Sequence, residues 1–367
     1  MIQGAIQGNA GLACPRPAIA LQGLTPEQLV LRIPELRLTE ARRIIATVHT
    51  GGDVAEPHPQ VRRGAREAVV ALGCVPELSL IERRQSDYDA FLKLVLGTPD
   101  RRRIECVRIP LERTGRFSVC VSSQVGCALA CAFCATGRLG LGRNLEAWEI
   151  VEQVRQIRHT LDRSRGERVH GVVFQGMGEP LANLDRVIAA VRVLSDPNAL
   201  AIDQRKITVS TVGLPAGILR LARELPRVRL AWSIGSARPE LRSRLMPIER
   251  AHTLEESYAA SVEHARITGQ SPLWAVTLLD QVNDTEDDAA ALAALARRFV
   301  TDAGRAARIS LIPYNPIASD GSDPFRRSSD VAEQSFRELL QRANIFAHRR
   351  YSGGADVAAA CGQLAAK

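Results

Sequence analysis

The sequence predicts an α/β chain: a partial (β/α)6 barrel preceded by a small N-terminal helical module and short antiparallel strands. Three observations lead there. From residue 117 onward, short apolar runs alternate six times with stretches of helical periodicity, the pattern of parallel strands joined by crossover helices. Between residues 76 and 116 the apolar pattern is that of strands separated by turn residues. Residues 25–72 carry helical spacing alone. Six units fall short of a closed eightfold barrel, so an open or partial one is expected.

Residues 1–22 carry no structural pattern, and Cys14 among them is read as incidental. Thr25-Pro26-Glu27-Gln28 is a helix start, with a hydroxyl to cap, Pro in the first turn and Gln three residues on, while Pro34 limits the length of that helix. Thr39 is placed to cap a helix over 40–48, and a further helix is expected over 60–72. Arg42, Arg43, Arg62, Arg63 and Arg66 make this module basic: either a nucleic-acid grip or a solvated helical face. Strands are expected over 78–82, 88–96, 104–109 and 117–122, with turns at Gly97-Thr98-Pro99-Asp100 and Thr114-Gly115. Cys74 and Cys106, in or near apolar runs, read as small buried hydrophobes. The barrel continues with a helix over 145–161 capped by Asn144, strand 170–175, helix 184–194, strand 206–211 and helix 215–225. Strand 229–234, helix 254–267, strand 273–279, helix 285–300, strand 309–313 and helix 331–343 complete it. The expected domains are therefore a helical module (1–75), a β extension (76–116), the barrel (117–351) and a C-terminal tail (352–367).

Composition bounds the function. Hydrophobic residues are 46% of 367, enough for a sizeable core. No apolar run reaches membrane-spanning length, and the first residues lack the basic start and apolar stretch of a secretory signal, so a cytoplasmic protein is expected. Eight cysteines then argue for metal or catalytic thiols over a disulfide framework. The net charge of +8 admits a polyanionic partner. The basic residues are 45 Arg and only three Lys, which suits bidentate phosphate contacts and equally reflects a GC-rich genome.

The most specific signal is Cys127-Ala-Leu-Ala-Cys131-Ala-Phe-Cys134-Ala-Thr-Gly137. Three thiols spaced C-x-x-x-C-x-x-C can wrap a corner of a 4Fe–4S cube, binding three irons and leaving the fourth for a small chelating molecule. The alternative is structural zinc held by Cys120, Cys127, Cys131 and Cys134; zinc sites usually bring two C-x-x-C pairs, and only one is present. Unusual residues gather at the ends of the expected strands, where parallel architectures place their chemistry. They are Gly176-Met177-Gly178-Glu179-Pro180, Ser210-Thr211-Val212-Gly213, Ser233-Ile234-Gly235-Ser236 and Pro313-Tyr314-Asn315-Pro316. Each alone is as readily a turn; together, beside the cysteine loop, they form one expected pocket, with Glu179 offering a carboxylate for an ammonium group. Two further thiols stand out: Cys120, seven residues before Cys127, and Cys361 in Ala358-Ala359-Ala360-Cys361-Gly362-Gln363-Leu364, after Gly353-Gly354 in a tail able to fold back over the barrel mouth.

With these motifs in hand, the chain resembles the RlmN/Cfr family of radical S-adenosylmethionine (SAM) methyltransferases, which methylate an adenosine of 23S ribosomal RNA. The similarity runs from about Leu24 to the C-terminus. Its specific parts are Cys120-Val-Ser-Ser-Gln-Val-Gly-Cys127, the Cys-Ala-Thr-Gly end of the cysteine loop, Arg143-Asn144-Leu145, Gly176-Met-Gly-Glu-Pro180, Ile312-Pro-Tyr-Asn-Pro316 and Ala360-Cys-Gly-Gln-Leu364. The resemblance implies a 4Fe–4S cluster on Cys127, Cys131 and Cys134, with Phe133 at the superfamily's usual aromatic position. It implies SAM contacts at Gly178, Glu179, Ser210, Ser233, Ile234, Gly235 and Asn315. Cys361 takes the place of the methyl-carrying cysteine, Glu105 that of the proton acceptor, and Cys120 that of the thiol that resolves the RNA adduct through a transient Cys120–Cys361 disulfide. Adenine carbons 2 and 8 have no lone pair to attack a sulfonium methyl, which is why such chemistry needs a radical. The implied partners are RNA, most directly a 23S rRNA adenosine methylated at carbon 2, with tRNA as the other candidate, and an electron donor such as flavodoxin, acting on a monomer.

Three departures stand against that pattern. The family's Ser-Leu-His-Ala at the fourth strand is Ser233-Ile-Gly-Ser236, and its Arg-Gly-Asp-Asp-like approach to the last cysteine is Tyr351-Ser-Gly-Gly-Ala-Asp356. The sequence stops at Lys367 without a longer basic tail. A carbon-8 methylase or another RNA target is therefore the first alternative. A radical-SAM enzyme for a protein or small molecule, and a redox-sensing RNA-binding protein, are the others; neither needs Cys120 and Cys361.

Overall fold

The computed structural model describes residues 19–317 and 322–365; the expectations for residues 1–18, Cys14 included, lie outside them. The chain opens with β1 (Ile19–Ala20), α1 (Pro26–Arg32), α2 (Leu38–Thr50), α3 (Arg63–Leu72) and β2 (Gly73–Cys74), where β1 and β2 pair in parallel. Thr25 closes the expected capping box on Gln28. The start of α2 differs from expectation. Arg37, not Thr39, is its cap residue, and the Glu40 carboxylate accepts from the Arg37 amide while gripping the Arg62 guanidinium, which brings α3 against α2. That grip holds the Glu40 carboxyl down at about 2. Leu29, Ile33, Ile45, Val48 and Val69 form this module's own core. Cys74 is half-buried, short of the fully buried position expected.

Next come β3 (Ser79–Gln85), β4 (Leu92–Gly97), β5 (Arg103–Pro110) and β6 (Arg116–Cys120). The cysteine loop is held in a hairpin of β7 (Gln124–Cys127) and β8 (Gly140–Asn144), which strand periodicity did not reveal because both strands are short and glycine-rich. Then come α4 (Ala147–His159), β9 (Arg168–Phe174), α5 (Leu184–Ser195), β10 (Ile207–Thr211), α6 (Pro215–Glu224), β11 (Arg229–Ser233) and α7 (Pro239–Leu245). The chain ends through α8 (Leu254–Thr268), β12 (Leu273–Leu278), α9 (Glu286–Ala303), β13 (Arg308–Pro313), α10 (Asp330–Arg342) and β14 (Ala347–Arg349). Glu146 rather than Asn144 caps α4, with Glu149 completing the box; Asn144 instead accepts from Gln124 across the hairpin.

All the main strands join one ten-stranded sheet in the order β14-β13-β12-β11-β10-β9-β6-β5-β4-β3. The strands from β6 and β9 through β14 run parallel, and β5, β4 and β3 continue the same sheet antiparallel. This is the predicted mixed α/β architecture, with β14 as an unforeseen seventh parallel strand.

Two cores support the barrel. One packs β4–β10 against α4, α5 and α6. The other is an aromatic stack in which Trp274 lies edge-on to Trp232 and Phe299, centroids 5.5 Å and 5.0 Å apart, with Tyr258 closing the group. Such edge contacts add about 1 kcal/mol per pair beyond burial.

Candidate functional site

The strand ends are stapled before any ligand is considered. Ser122, two residues past the end of β6, exchanges hydrogen bonds with the Gln153 amide on α4 and donates its hydroxyl to the Glu105 carbonyl at 2.6 Å. Gln124 accepts from the Glu179 amide at 2.8 Å, tying the cysteine hairpin to the turn after β9. Arg143 is bidentate to both Asp100 and Glu149, pinning the hairpin to the β4–β5 turn and to α4. The sequence motifs around the cysteine loop are thus joints of the frame.

The loop itself leaves β7 at Cys127 and returns at Gly140. Cys131 and Phe133 pack against Met246, Leu245 and Tyr314, and the Ala132 amide donates to the Leu245 carbonyl. Cys127, Cys131 and Cys134 all line one cavity at the C-terminal ends of the strands. Burial raises the Cys127 thiol to about 11 and pushes Cys131 upward too. Among the described residues, no three Cys, His, Asp or Glu side chains are placed to share a single ion. A cube of four irons takes one thiolate per iron, so sulfurs spread around one cavity fit it. Cys120, the fourth ligand a zinc site would need, faces a different cavity.

Of the residues singled out at the strand ends, Gly178, Glu179, Ser210, Ser233 and Gly235 line the cavity with the three thiols. The Glu179 carboxylate is buried, accepting from the Leu181 and Val212 amides at 2.9 Å and 3.0 Å, and burial raises it to about 7. A cationic partner would relieve that penalty. The Ser210 and Ser233 hydroxyls lie 3.4 Å apart. Gly235 has a left-handed backbone (φ +74°), and the Met246 side chain occupies the space that a side chain there would enter. Ile234 points into the aromatic core, away from the cavity. Asn315 is buried against the tail: its amide donates to the Ser352 hydroxyl at 2.8 Å and to the Cys361 carbonyl at 3.2 Å.

The tail does fold back. The Cys361 carbonyl is held by Asn315, the Gly362 carbonyl by the Ala135 amide and the Leu364 carbonyl by the Thr136 hydroxyl. Lys93, buried on β4, donates to the Ala358 carbonyl at 3.0 Å and pairs with Glu105 at 3.3 Å; the other Glu105 oxygen accepts from the Ala365 amide. Cys361 thereby lands on the wall shared by the cluster-loop cavity and a second one lined by Phe91, Cys120, Gln175, Ile312, Arg350 and Ser352. Burial raises the Cys120 thiol to about 12 and the Cys361 thiol upward as well, the latter opposed by Arg350. Both thiols are free, so the disulfide implied by the resemblance is not formed in this structure. Sequence reasoning missed Lys93, Gln175 and Arg350. Lys93 carried a signal, as a lone lysine inside an apolar strand; Gln175 and Arg350 did not.

The chain matches the Radical SAM superfamily over residues 121–294. It is 57% identical over 346 residues to a "Probable RNA methyltransferase" of Sorangium cellulosum, spanning 89% of this chain and 88% of that one. It is 39% identical over 355 residues to a "Probable dual-specificity RNA methyltransferase RlmN" of Moorella thermoacetica, spanning 94% and 97%. Among solved structures it is similar to a radical SAM methyltransferase from Sphaerobacter thermophilus, at 35% identity and a TM-score of 0.85, over 95% of this chain and all of that one.

Proposed function

The chain belongs to the RlmN/Cfr family of radical-SAM RNA methyltransferases, and from that premise we propose that it methylates a ring carbon of adenosine through a methyl group carried on Cys361. The first assignment is carbon 2 of a 23S rRNA adenosine, with tRNA as a second substrate. The observation that carries the reading is Cys361 on the wall between two cavities, one lined by the three loop thiols and the other by Cys120.

When bound, the 4Fe–4S cluster and SAM would supply a methyl group, one electron and a 5′-deoxyadenosyl radical. Cys127, Cys131 and Cys134 would hold the cluster; Gly178, Glu179, Ser210, Ser233 and Gly235 would hold SAM, with Glu179 against its ammonium. Cys361, as thiolate, would take a methyl group from SAM by displacement, releasing S-adenosylhomocysteine. After that methyl loses a hydrogen atom, its carbon would bond to the adenine ring carbon in the second cavity. Glu105, beside Lys93 and the tail, would take the ring proton, while the ring radical gives back the one electron that the cluster would have supplied, leaving a closed-shell adduct. Cys120 as thiolate would then attack the Cys361 sulfur, freeing the modified base, which gains a proton to complete its methyl group. This leaves a Cys120–Cys361 disulfide that an external two-electron reductant reopens. Asn315 would act on the tail, seating Cys361 by its carbonyl. A monomer served by a flavodoxin-type donor completes the reading.

Intact mass of anaerobically purified protein tests this directly. One added methyl on Cys361 is expected, and Cys120→Ala should purify with covalently bound RNA. An unmethylated Cys361 together with RNA fully methylated by Cys361→Ala would overturn it.

A further inference from the structure

The tail's main chain is held at Cys361, whose carbonyl Asn315 takes, and at Gly362, whose carbonyl Ala135 takes, and neither contact fixes the sulfur. Among the described residues, one side chain hydrogen-bonds the sulfur: Gln175, the residue just after β9, whose Nε2 lies 3.3 Å from Sγ. Gln175 lines both cavities, as Cys361 does. A glutamine amide can turn either end toward a neighbour at almost no steric cost, and the two ends act oppositely. An N–H favours a negative sulfur, whereas a carbonyl oxygen repels it.

Arg350, just after β14, decides between them. Its Nη1 donates to Gln175 Oε1 at 2.8 Å. A guanidinium carries donors only, so it pairs with the carbonyl end and leaves the N–H end for sulfur. We propose that Arg350 and Gln175 form a relay that positions the Cys361 sulfur, Arg350 fixing the amide and the amide orienting the sulfur between the cavities. Gln175 and Arg350 are positioning residues, acting through Cys361, and the proposal rests on the reading of Cys361 as the methyl carrier. The relay also gives Arg350 work that its place beside the substrate cavity alone would not require.

The experiment reads the sulfur itself and so stands apart from RNA methylation. Protein purified without its cluster, so that Cys361 carries no methyl, is loaded anaerobically with iron and sulfide in the absence of SAM and pulsed with iodoacetamide at fixed pH. Labelling of Cys361 is followed by mass on the tryptic peptide 351–367, which contains no other cysteine. Gln175→Glu keeps the shape but turns an acceptor on sulfur, and should slow labelling about tenfold or more. Gln175→Leu, which only removes the donor, should slow it less. Arg350→Met frees the amide to flip and should match Gln175→Leu, while Arg350→Lys, another donor-only cation, should restore most of the rate (Arg350→Met is read on the peptide starting at residue 350). A double Gln175→Leu/Arg350→Met variant should be no slower than either single one, because the two act in series. Wild-type labelling in Gln175→Glu, or equal slowing by Arg350→Lys and Arg350→Met, would overturn the relay. Absence of a methyl on Cys361 of wild-type protein purified anaerobically with its cluster in place, with the labelling order intact in the SAM-free preparation, would overturn the methyl-carrier reading alone.

Discussion

The wall of the barrel formed by β11, β12, α8 and α9 is held by large interlocked side chains, and the tail that crosses its mouth by a few small apolar contacts and many separate hydrogen bonds. In the wall, Trp232, Trp274, Tyr258 and Phe299 are each at most 2% exposed and interlock edge to face. In the tail, Gly, Ala and Ser make up eight of the eleven residues 352–362; Val357, Ala359 and Leu364 reach the neighbouring core, and the segment is placed by separate hydrogen bonds to Asp89, Lys93, Glu105, Ala135, Thr136 and Asn315. Apolar burial is non-directional and sums to large stabilities; one hydrogen bond contributes about 1 kcal/mol but specifies where an atom sits. The difference teaches that stability is stored where no chemistry is expected. The proposed chemistry lies on a segment whose position can be tuned at little cost to the fold.

The sharpest break between the two regions is a pair of substitutions. Cys361→Ala should reduce RNA methylation below detection while leaving the thermal midpoint unchanged, because the thiol packs against cavity space on both sides. Trp274→Ala should do the reverse in kind, costing about 4 kcal/mol of unfolding free energy by denaturant titration, with folded protein still able to bind cluster and SAM. If Cys361→Ala unfolded the protein, or Trp274→Ala did not destabilise it, the division would be wrong.

Lys93→Met probes the seam between them. The ammonium is buried, and it both bonds the tail at Ala358 and neutralises Glu105. Burial pulls its pKa down, and Glu105 opposes that. Removing one member of such a pair should cost about 3 kcal/mol. The tail should also loosen, so that trypsin cuts after Arg350 at least tenfold faster than in wild type. A stability loss without faster cutting would mean that Lys93 serves the sheet alone.

The same contrast explains what was legible in the sequence. The barrel strands and helices announce themselves because apolar burial leaves a periodic trace, and the capping box at Thr25 marks one helix start. The thiols were legible from spacing. The short glycine-rich hairpin β7–β8 left no period to read, and α7, seven residues beginning at a proline, is too short to repeat one. Contacts such as Arg350 to Gln175 join residues 175 positions apart, and a single long-range hydrogen bond leaves no local mark on the chain. Asn315 shows the converse: the motif was visible, but only the fold reveals that its amide faces the tail.

The smallest expected effect concerns the wall itself. His264, on α8, is 1% exposed, and neither ring nitrogen has a hydrogen-bond partner among the described residues. Burial lowers its folded-state value to about 4, against 6.5 for the free side chain. The folded protein therefore keeps the ring neutral where the unfolded chain would protonate it. Its contribution is fully present above about pH 6.5 and is lost as pH falls toward 4, amounting to about 2 kcal/mol between pH 7 and pH 5. His49, on α2 beside Arg155 and Arg158, has the same sign, with a folded value of about 3 set first by burial and then by those cations. Urea unfolding at pH 7 and pH 5 should show His264→Phe and His49→Leu each flattening the decline by about half of the two-histidine total, while labelling of Cys361 at a given pH stays at the wild-type rate. A variant that flattened the decline and also changed Cys361 labelling would tie wall and tail together energetically, and the separation drawn between them would fail.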